Sequence, residues 1–289
     1  MGVPYAEVIG DPVAHSKSPA IHRLWLEKLG VEADYRATRV VSDELPAYLA
    51  SRRADPDWCG CNVTMPLKRA ITPLLDDHAG PAKTIGAVNT VVRGPGPALR
   101  LTGHNTDVAG FLEPLGDWPG PDKIYRTAMV IGTGGAAAAA SFALKQRRFL
   151  LITIARTRTS GILFQQRHGD SDPDFVQVLA SYATPPAQPW QWMRQEIAAD
   201  LLVNASPLGM VGQEPLAFDL ANIAPGAIVY DLVTEPHETD LILRARANGH
   251  RVVTGLEMLI GQAAAAFGLL FGLEAPRAHD AELRERLTS

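Results

Sequence analysis

Val130-Ile131-Gly132-Thr133-Gly134-Gly135-Ala136-Ala137-Ala138 decides how this chain is read. It follows an apolar run that begins at Ala128 and opens an alanine-rich segment suited to a helix. A strand, a glycine-rich turn and a helix in that order form the context of a dinucleotide fingerprint. Gly132 permits the tight turn, Gly134 lets backbone approach a pyrophosphate, and the small residues from Gly135 to Ala138 let the helix lie close to the strand. The free N–H groups at the helix start then hold phosphate. Ala137 stands where the pattern more often has a third glycine. A glycine-rich turn with no ligand is the plain alternative.

The following strand, residues 149–155, runs into Arg156-Thr157-Arg158 with no carboxylate. An acidic residue there would bind a ribose 2′-hydroxyl. Two arginines and a threonine suit a 2′-phosphate, so NADP is expected, with NAD as the alternative. A solvated basic turn is the competing reading.

Outward from this unit, strand and helix patterns alternate, which predicts an α/β fold with mostly parallel sheets. Strands are expected at 5–9, 35–41, 58–64, 201–204, 228–232 and 252–253. Helices are expected at 18–30, 42–52, after Pro66, and at 255–272. Ser18 reads as an N-cap with Pro19 behind it, an apolar stripe at Ile21, Leu24, Trp25 and Leu29, and Gly30 as the stop. Residues 87–93 and 99–102 suggest a hairpin around Gly94-Pro95-Gly96-Pro97, and 118–127 reads as a connector.

The 289 residues favour two domains. A net charge of −4 argues against nucleic acid or an anionic membrane as main partner. The N-terminus lacks a signal-peptide pattern, and apolar stretches 128–144 and 256–273 are interrupted by glycines or by Glu257 and Gln262. Cys59 and Cys61 make neither a disulfide framework nor a zinc site and are expected to be reduced core thiols. A cytoplasmic protein is expected. No histidine spacing suggests a metal, and none is expected.

Four polar segments in the first 110 residues resist explanation as packing: Ser16-Lys17-Ser18, Asn62-Val63-Thr64 with Lys68, Asn89-Thr90, and Asn105-Thr106-Asp107. Each falls near the end of an expected strand or the start of a helix, where open α/β sheets form ligand crevices. Lys68 is placed in the first turn of a helix, where the macrodipole disfavours a cation. That placement suits proton transfer, although Arg69 beside it shares the field and an ordinary surface lysine would read alike. Asp107 at a helix start is either functional or a first-turn stabiliser.

Together these segments resemble the shikimate dehydrogenase family over nearly the whole chain. The resemblance rests on residues 9–19, 62–68, 86–90, 103–110, 132–136, 204–210, 230–232 and 255–264, in that order. It implies a substrate domain from 1–107 plus 256–289 and a Rossmann-type domain from 108–255. It implies reversible, NADP-dependent reduction of 3-dehydroshikimate to shikimate, in the supply of aromatic amino-acid precursors. Lys68 and Asp107 would be the catalytic pair. Ser16 and Ser18 would hold the substrate carboxylate, and Asn62, Thr64, Asn89, Asp107 and Gln262 the ring hydroxyls. Gly132, Gly134, Gly135, Ala136, Arg156, Thr157, Arg158, Asn204, Ser206 and Gly255 would bind the cofactor, in a monomer or homodimer without metal.

The chain departs from the family pattern at three places. Ala155 precedes Arg156-Thr157 where asparagine is usual, Ser160 replaces a phosphate-binding basic residue for which Arg158 could substitute, and Thr234 replaces a tyrosine. A quinate or aminoshikimate dehydrogenase using NAD, or a non-catalytic NADP-binding paralogue, are the alternatives.

Overall fold

The computed structural model describes residues 2–94, 99–118, 126–169, 172–186, 191–192, 195–196 and 198–288. The chain divides into two compact units, one of residues 1–110 with 260–289 and the other of residues 111–259.

The first unit begins with β1 (Tyr5–Gly10), α1 (Ser18–Leu29), β2 (Asp34–Arg39), α2 (Leu45–Arg53), β3 (Trp58–Val63) and the single turn α3 (Leu67–Ala70). There follow β4 (Asp77–His78), α4 (Pro81–Ile85), β5 (Thr90–Arg93), β6 (Leu101–His104) and the start of α5 (Asp107–Leu112). The sheet order is β2-β1-β3-β5-β6-β4. β1 pairs parallel with β2 and β3, whereas β5 runs antiparallel to both β3 and β6. β1 is buried along its whole length, as a central strand covered on both faces must be. Glu7 within it is matched by Arg52 at 2.6 Å and by the Tyr48 hydroxyl at 2.8 Å.

The hairpin expected around Gly94 is formed, with Thr90 opposite His104, while Pro95–Pro97 lie outside the described residues. α1 ends as expected at Gly30, left-handed at φ 64°. Its start differs. Lys17 is the cap residue and Ser18 the first helical one, with no side-chain cap bond. The buried stripe is Ile21, His22, Leu24, Trp25 and Leu26, whereas Leu29 is exposed. Cys61 is buried but Cys59 only half-buried, because a register shift between β1 and β3 at Tyr5/Ala6 breaks the alternation there.

The second unit holds β7 (Thr127–Ile131), α6 (Gly135–Gln146), β8 (Leu150–Ala155), α7 (Arg158–Arg167), β9 (Val176–Val178), and a two-residue ladder of β10 (Gln191–Trp192) and β11 (Gln195–Glu196). It continues with β12 (Ala199–Asn204), β13 (Ile223–Asp231), α8 (Asp240–Ala247) and β14 (Arg251–Val253). α9 (Gly255–Phe271) carries the chain back into the first unit, which ends with α10 (Asp280–Thr288). The main sheet order is β14-β13-β12-β7-β8-β9, with every pairing parallel. The order reverses between β7 and β12, which is the switch point of a doubly wound sheet and the place where such folds bind ligands. The core beneath it is built of Met129, Ile131, Ile152, Ile154, Leu202 and Val229. Among the described residues, no helix is long and apolar enough to cross a membrane.

Candidate active site and nucleotide site

In the first unit, the reversed direction of β5 gathers the polar segments. Parallel strands alone would leave Asn89-Thr90 at the far end of the sheet. Because β5 is antiparallel, Thr90 pairs with both Asn62, near the end of β3, and His104, the last residue of β6. The segments after β3 and β6 and before β5 therefore share one sheet end.

Lys68 Nζ donates to Asp107 Oδ2 at 2.6 Å, and Asn89 Nδ2 donates to Asp107 Oδ1 at 2.9 Å. Asp107 is 4% exposed, whereas Lys68 is half-buried, its side chain 20% exposed. Asn89 is also buried, and its Oδ1 accepts from Thr106 N at 2.7 Å and from Thr90 Oγ1 at 3.0 Å. The Asn89 amide is thus held from both sides, and it fixes the plane of the Asp107 carboxylate. Gln262 Oε1 lies 3.4 Å from both Asn89 Nδ2 and Thr106 Oγ1, so α9 joins the cluster. The first-turn dipole expected at Lys68 has little substance, since α3 is four residues long. The charge that Lys68 meets is instead the Asp107 carboxylate, opposite in sign to the field the dipole would have given.

Asn62 is buried, with Nδ2 donating to Thr90 Oγ1 at 2.9 Å and to Asn89 O at 3.2 Å. Thr64 is half-buried, its N–H donating to Ile9 O at 2.9 Å. Ser18 is buried and Ser16 half-buried, and Ser16 Oγ accepts from Ser18 N at 3.3 Å. Ser16, not Ser18, therefore supplies the oxygen at the start of α1. One further participant, Tyr35, is invisible to sequence reasoning; its phenol donates to Asn62 Oδ1 at 2.6 Å. An aromatic between Asp34 and Arg36 in a strand reads as plain core.

In the second unit, Gly132 has φ 117°, and a Cβ there would lie 2.8 Å from Ala205 O. The turns after β7 and β12 thus meet backbone to backbone at the switch point. Gly134 caps α6 without any side-chain bond, is exposed, and has open space where a Cβ would stand. Gly135 and Ala136 open the helix, half-buried, while Ala137 to Ala140 are buried. The unshared N–H groups at this end suit phosphate oxygens.

Arg156 is exposed and has no hydrogen-bond or ion-pair partner among the described residues. Thr157 caps α7, accepting from Ser160 N at 3.2 Å. Arg158 donates to Val176 O at 3.1 Å and Pro173 O at 3.0 Å, so its guanidinium secures the turn before β9. Asn204 is fully buried and donates to Leu208 O and Asp231 Oδ1 while its Oδ1 accepts from Ser206 N and Oγ. Asn204 and Ser206 therefore shape the loop after β12. Burial raises Asp231 above the usual carboxylate range, against hydrogen bonds from Thr239, Val233 and Asn204. Gly255 leaves no room for a side chain, since a Cβ would lie 2.4 Å from Val233 O.

A parallel doubly wound sheet with a glycine-rich first turn, in one chain with a lysine held on a buried carboxylate among amides and hydroxyls, defines a two-domain α/β dehydrogenase. The model of the shikimate dehydrogenase substrate binding domain matches residues 8–91, and that of the shikimate 5′-dehydrogenase C-terminal domain matches 255–282. Shikimate dehydrogenase (NADP(+)) of Sphingopyxis alaskensis is 47% identical over 99% of this chain and 97% of its own. The counterpart in Methylocella silvestris is 39% identical over 93% of this chain and 90% of its own. The crystal structure of shikimate 5-dehydrogenase from Thermus thermophilus in complex with NADP(H) and shikimate superposes with a TM-score of 0.80. It is 33% identical and covers 98% of this chain and 99% of that one. The chain belongs to the shikimate dehydrogenase family.

Proposed function

We propose that the protein interconverts 3-dehydroshikimate and shikimate with NADP, as a cytoplasmic enzyme acting on a small molecule, monomeric or homodimeric. The observation that carries this reading is the Lys68–Asp107 ion pair, closed to 2.6 Å and braced by Asn89. A pure nucleotide-binding protein has no use for a lysine held on a buried carboxylate.

The second unit fits the cofactor through the uncapped start of α6, the exposed Gly134, and the unengaged Arg156. Gly132, Gly134, Gly135 and Ala136 cradle the pyrophosphate, Arg156 and Thr157 take the 2′-phosphate, and Asn204, Ser206 and Gly255 shape the opposite wall. Arg158 serves this group indirectly, by holding the turn that α7 packs on. When bound, NADPH supplies the hydride that converts the C3 ketone to an alcohol.

The chain's own residues handle the proton and the orientation. Lys68 gives a proton from Nζ to the ketone oxygen as negative charge grows on it, and takes one from the hydroxyl in reverse. Asp107 keeps the ammonium aimed through Oδ2 and orients the reacting hydroxyl. Asn89 holds Asp107 through Oδ1, so the carboxylate cannot turn away. Ser16 and Ser18 bind the substrate carboxylate. Asn62, Thr64, Asn89 and Gln262 bind ring hydroxyls, with Asn62 limited to accepting because both of its N–H bonds are spent internally.

The test is an assay at 340 nm with shikimate and quinate, each with NADP and NAD. Turnover greatest with shikimate and NADP is expected. No turnover of shikimate with either cofactor would reject the reading.

A further inference from the structure

Tyr35 is fully buried, yet its phenol is spent on the site and not on the core. It stands on β2, one strand removed from Asn62 on β3, with β1 between them. Ala6 of β1 is the register partner of Tyr35 and Val8 that of Asn62. The small side chain at Ala6 leaves room for the phenol to reach across β1. There its hydroxyl donates to Asn62 Oδ1 at 2.6 Å.

That bond decides which way the Asn62 amide faces. With Oδ1 held toward Tyr35, the Asn62 NH2 group is directed to Thr90 Oγ1 and Asn89 O. The opposite flip would set an NH2 group against the phenol and a carbonyl against the Asn89 carbonyl. Tyr35 thus touches a residue assigned to a ring hydroxyl. The ring itself is clamped: His22, one turn after Ser18 on α1, stacks on it at 4.0 Å with planes 2° apart. Phe267 of α9 backs His22 in turn, with ring centroids 5.8 Å apart.

We infer that Tyr35 is a positioning residue for substrate recognition, whose hydroxyl fixes the Asn62 amide in the orientation that receives shikimate. The inference rests on the assignment of Asn62 to substrate proposed above. Tyr35 touches no reacting group, so its loss acts on substrate binding and leaves proton transfer at Lys68 in place.

The test is Tyr35→Phe, which keeps the stacked ring and removes the donor. KM for shikimate should rise about tenfold, with kcat within about threefold of wild type and KM for NADP unchanged. A shikimate KM within twofold of wild type, or a parallel rise in both KM values, would overturn the inference, whatever the change in Tm. Where Tyr35→Phe does not fold, p-fluorophenylalanine at position 35 fills the space without a donor and p-aminophenylalanine keeps the donor. The raised KM should appear in the first and recover in the second, and equal values in both would reject the idea. Wild-type enzyme run alongside separates the outcomes, since a wild type unable to turn over shikimate would instead remove the assignment of substrate on which the inference stands.

Discussion

Lys68 Nζ and Asp107 Oδ2 lie 2.6 Å apart, although 39 residues separate them along the chain. The contact exists because β5 runs antiparallel between β3 and β6, which brings the loops that follow β3 and β6 to one end of the sheet. Losing Lys68 is destabilising, because the Asp107 charge is left buried. The pair is therefore both a chemical device and a structural commitment.

Lys68→Ala should lower kcat by about 10² to 10⁴-fold, the usual scale for a positioned acid–base group. KM for shikimate should change far less, because the lysine acts mainly in the transition state. Steady-state kinetics in both directions check this, with Tm measured alongside because Asp107 loses its partner. A kcat near wild type removes Lys68 from the mechanism.

Arg156→Ser should weaken NADP far more than NAD. One charge-assisted hydrogen bond is worth roughly 1.5–3 kcal/mol, or about ten- to a hundredfold. Arg158→Ser should instead act on stability and on both cofactors alike, since its guanidinium is bonded to Val176 O and Pro173 O. Cofactor titrations of the two variants decide the matter. Parallel losses of NAD and NADP in Arg156→Ser would mean that it does not read the 2′-phosphate.

The enzyme should prefer shikimate to quinate by at least about tenfold in kcat/KM, or about 1.4 kcal/mol. Shikimate carries its carboxylate on a planar carbon, whereas quinate bears an added hydroxyl on a tetrahedral one. An unpaired buried hydroxyl costs about 1–3 kcal/mol, and Ser16 and Ser18 are tied to each other and to the fixed start of α1. Thr234, smaller than the tyrosine usual in the family, is the position to vary should quinate prove equal.

Acidification should cost this protein stability through His22. Its ring is fully buried, has no hydrogen-bond partner at either nitrogen among the described residues, and is pushed down to about 3 by burial. A group lowered in the folded state contributes fully above its unfolded value of 6.5 and loses that contribution as pH falls toward the folded value. Between those limits the loss approaches about 1.4 kcal/mol per pH unit. His22→Phe keeps an aromatic on Tyr35 and removes the titration. Urea unfolding at about pH 6.5 and about pH 5 should show wild type losing about 2 kcal/mol more than the variant. Identical pH dependence would mean that His22 does not stay neutral in the fold.

The order of strands and helices is legible in the chain, because hydrophobic period and glycine placement are local properties. Gly132 and Gly134 announce the turn after β7, Gly30 ends α1, and the missing carboxylate after β8 is visible in Ala155-Arg156-Thr157. Those features need no knowledge of distant residues. What each polar side chain meets is settled only by the packed fold. Strand direction joined Asn89 to Asp107 and Asp107 to Lys68, where local reasoning offered a helix dipole that a four-residue helix cannot supply. Packing turned Arg158 to two carbonyls, moved the α1 cap from Ser18 to Lys17, and carried the Tyr35 phenol across β1 to Asn62. Hydrogen-bond partners are chosen by proximity in space, and spatial neighbours separated by tens of residues leave no periodic trace in the chain.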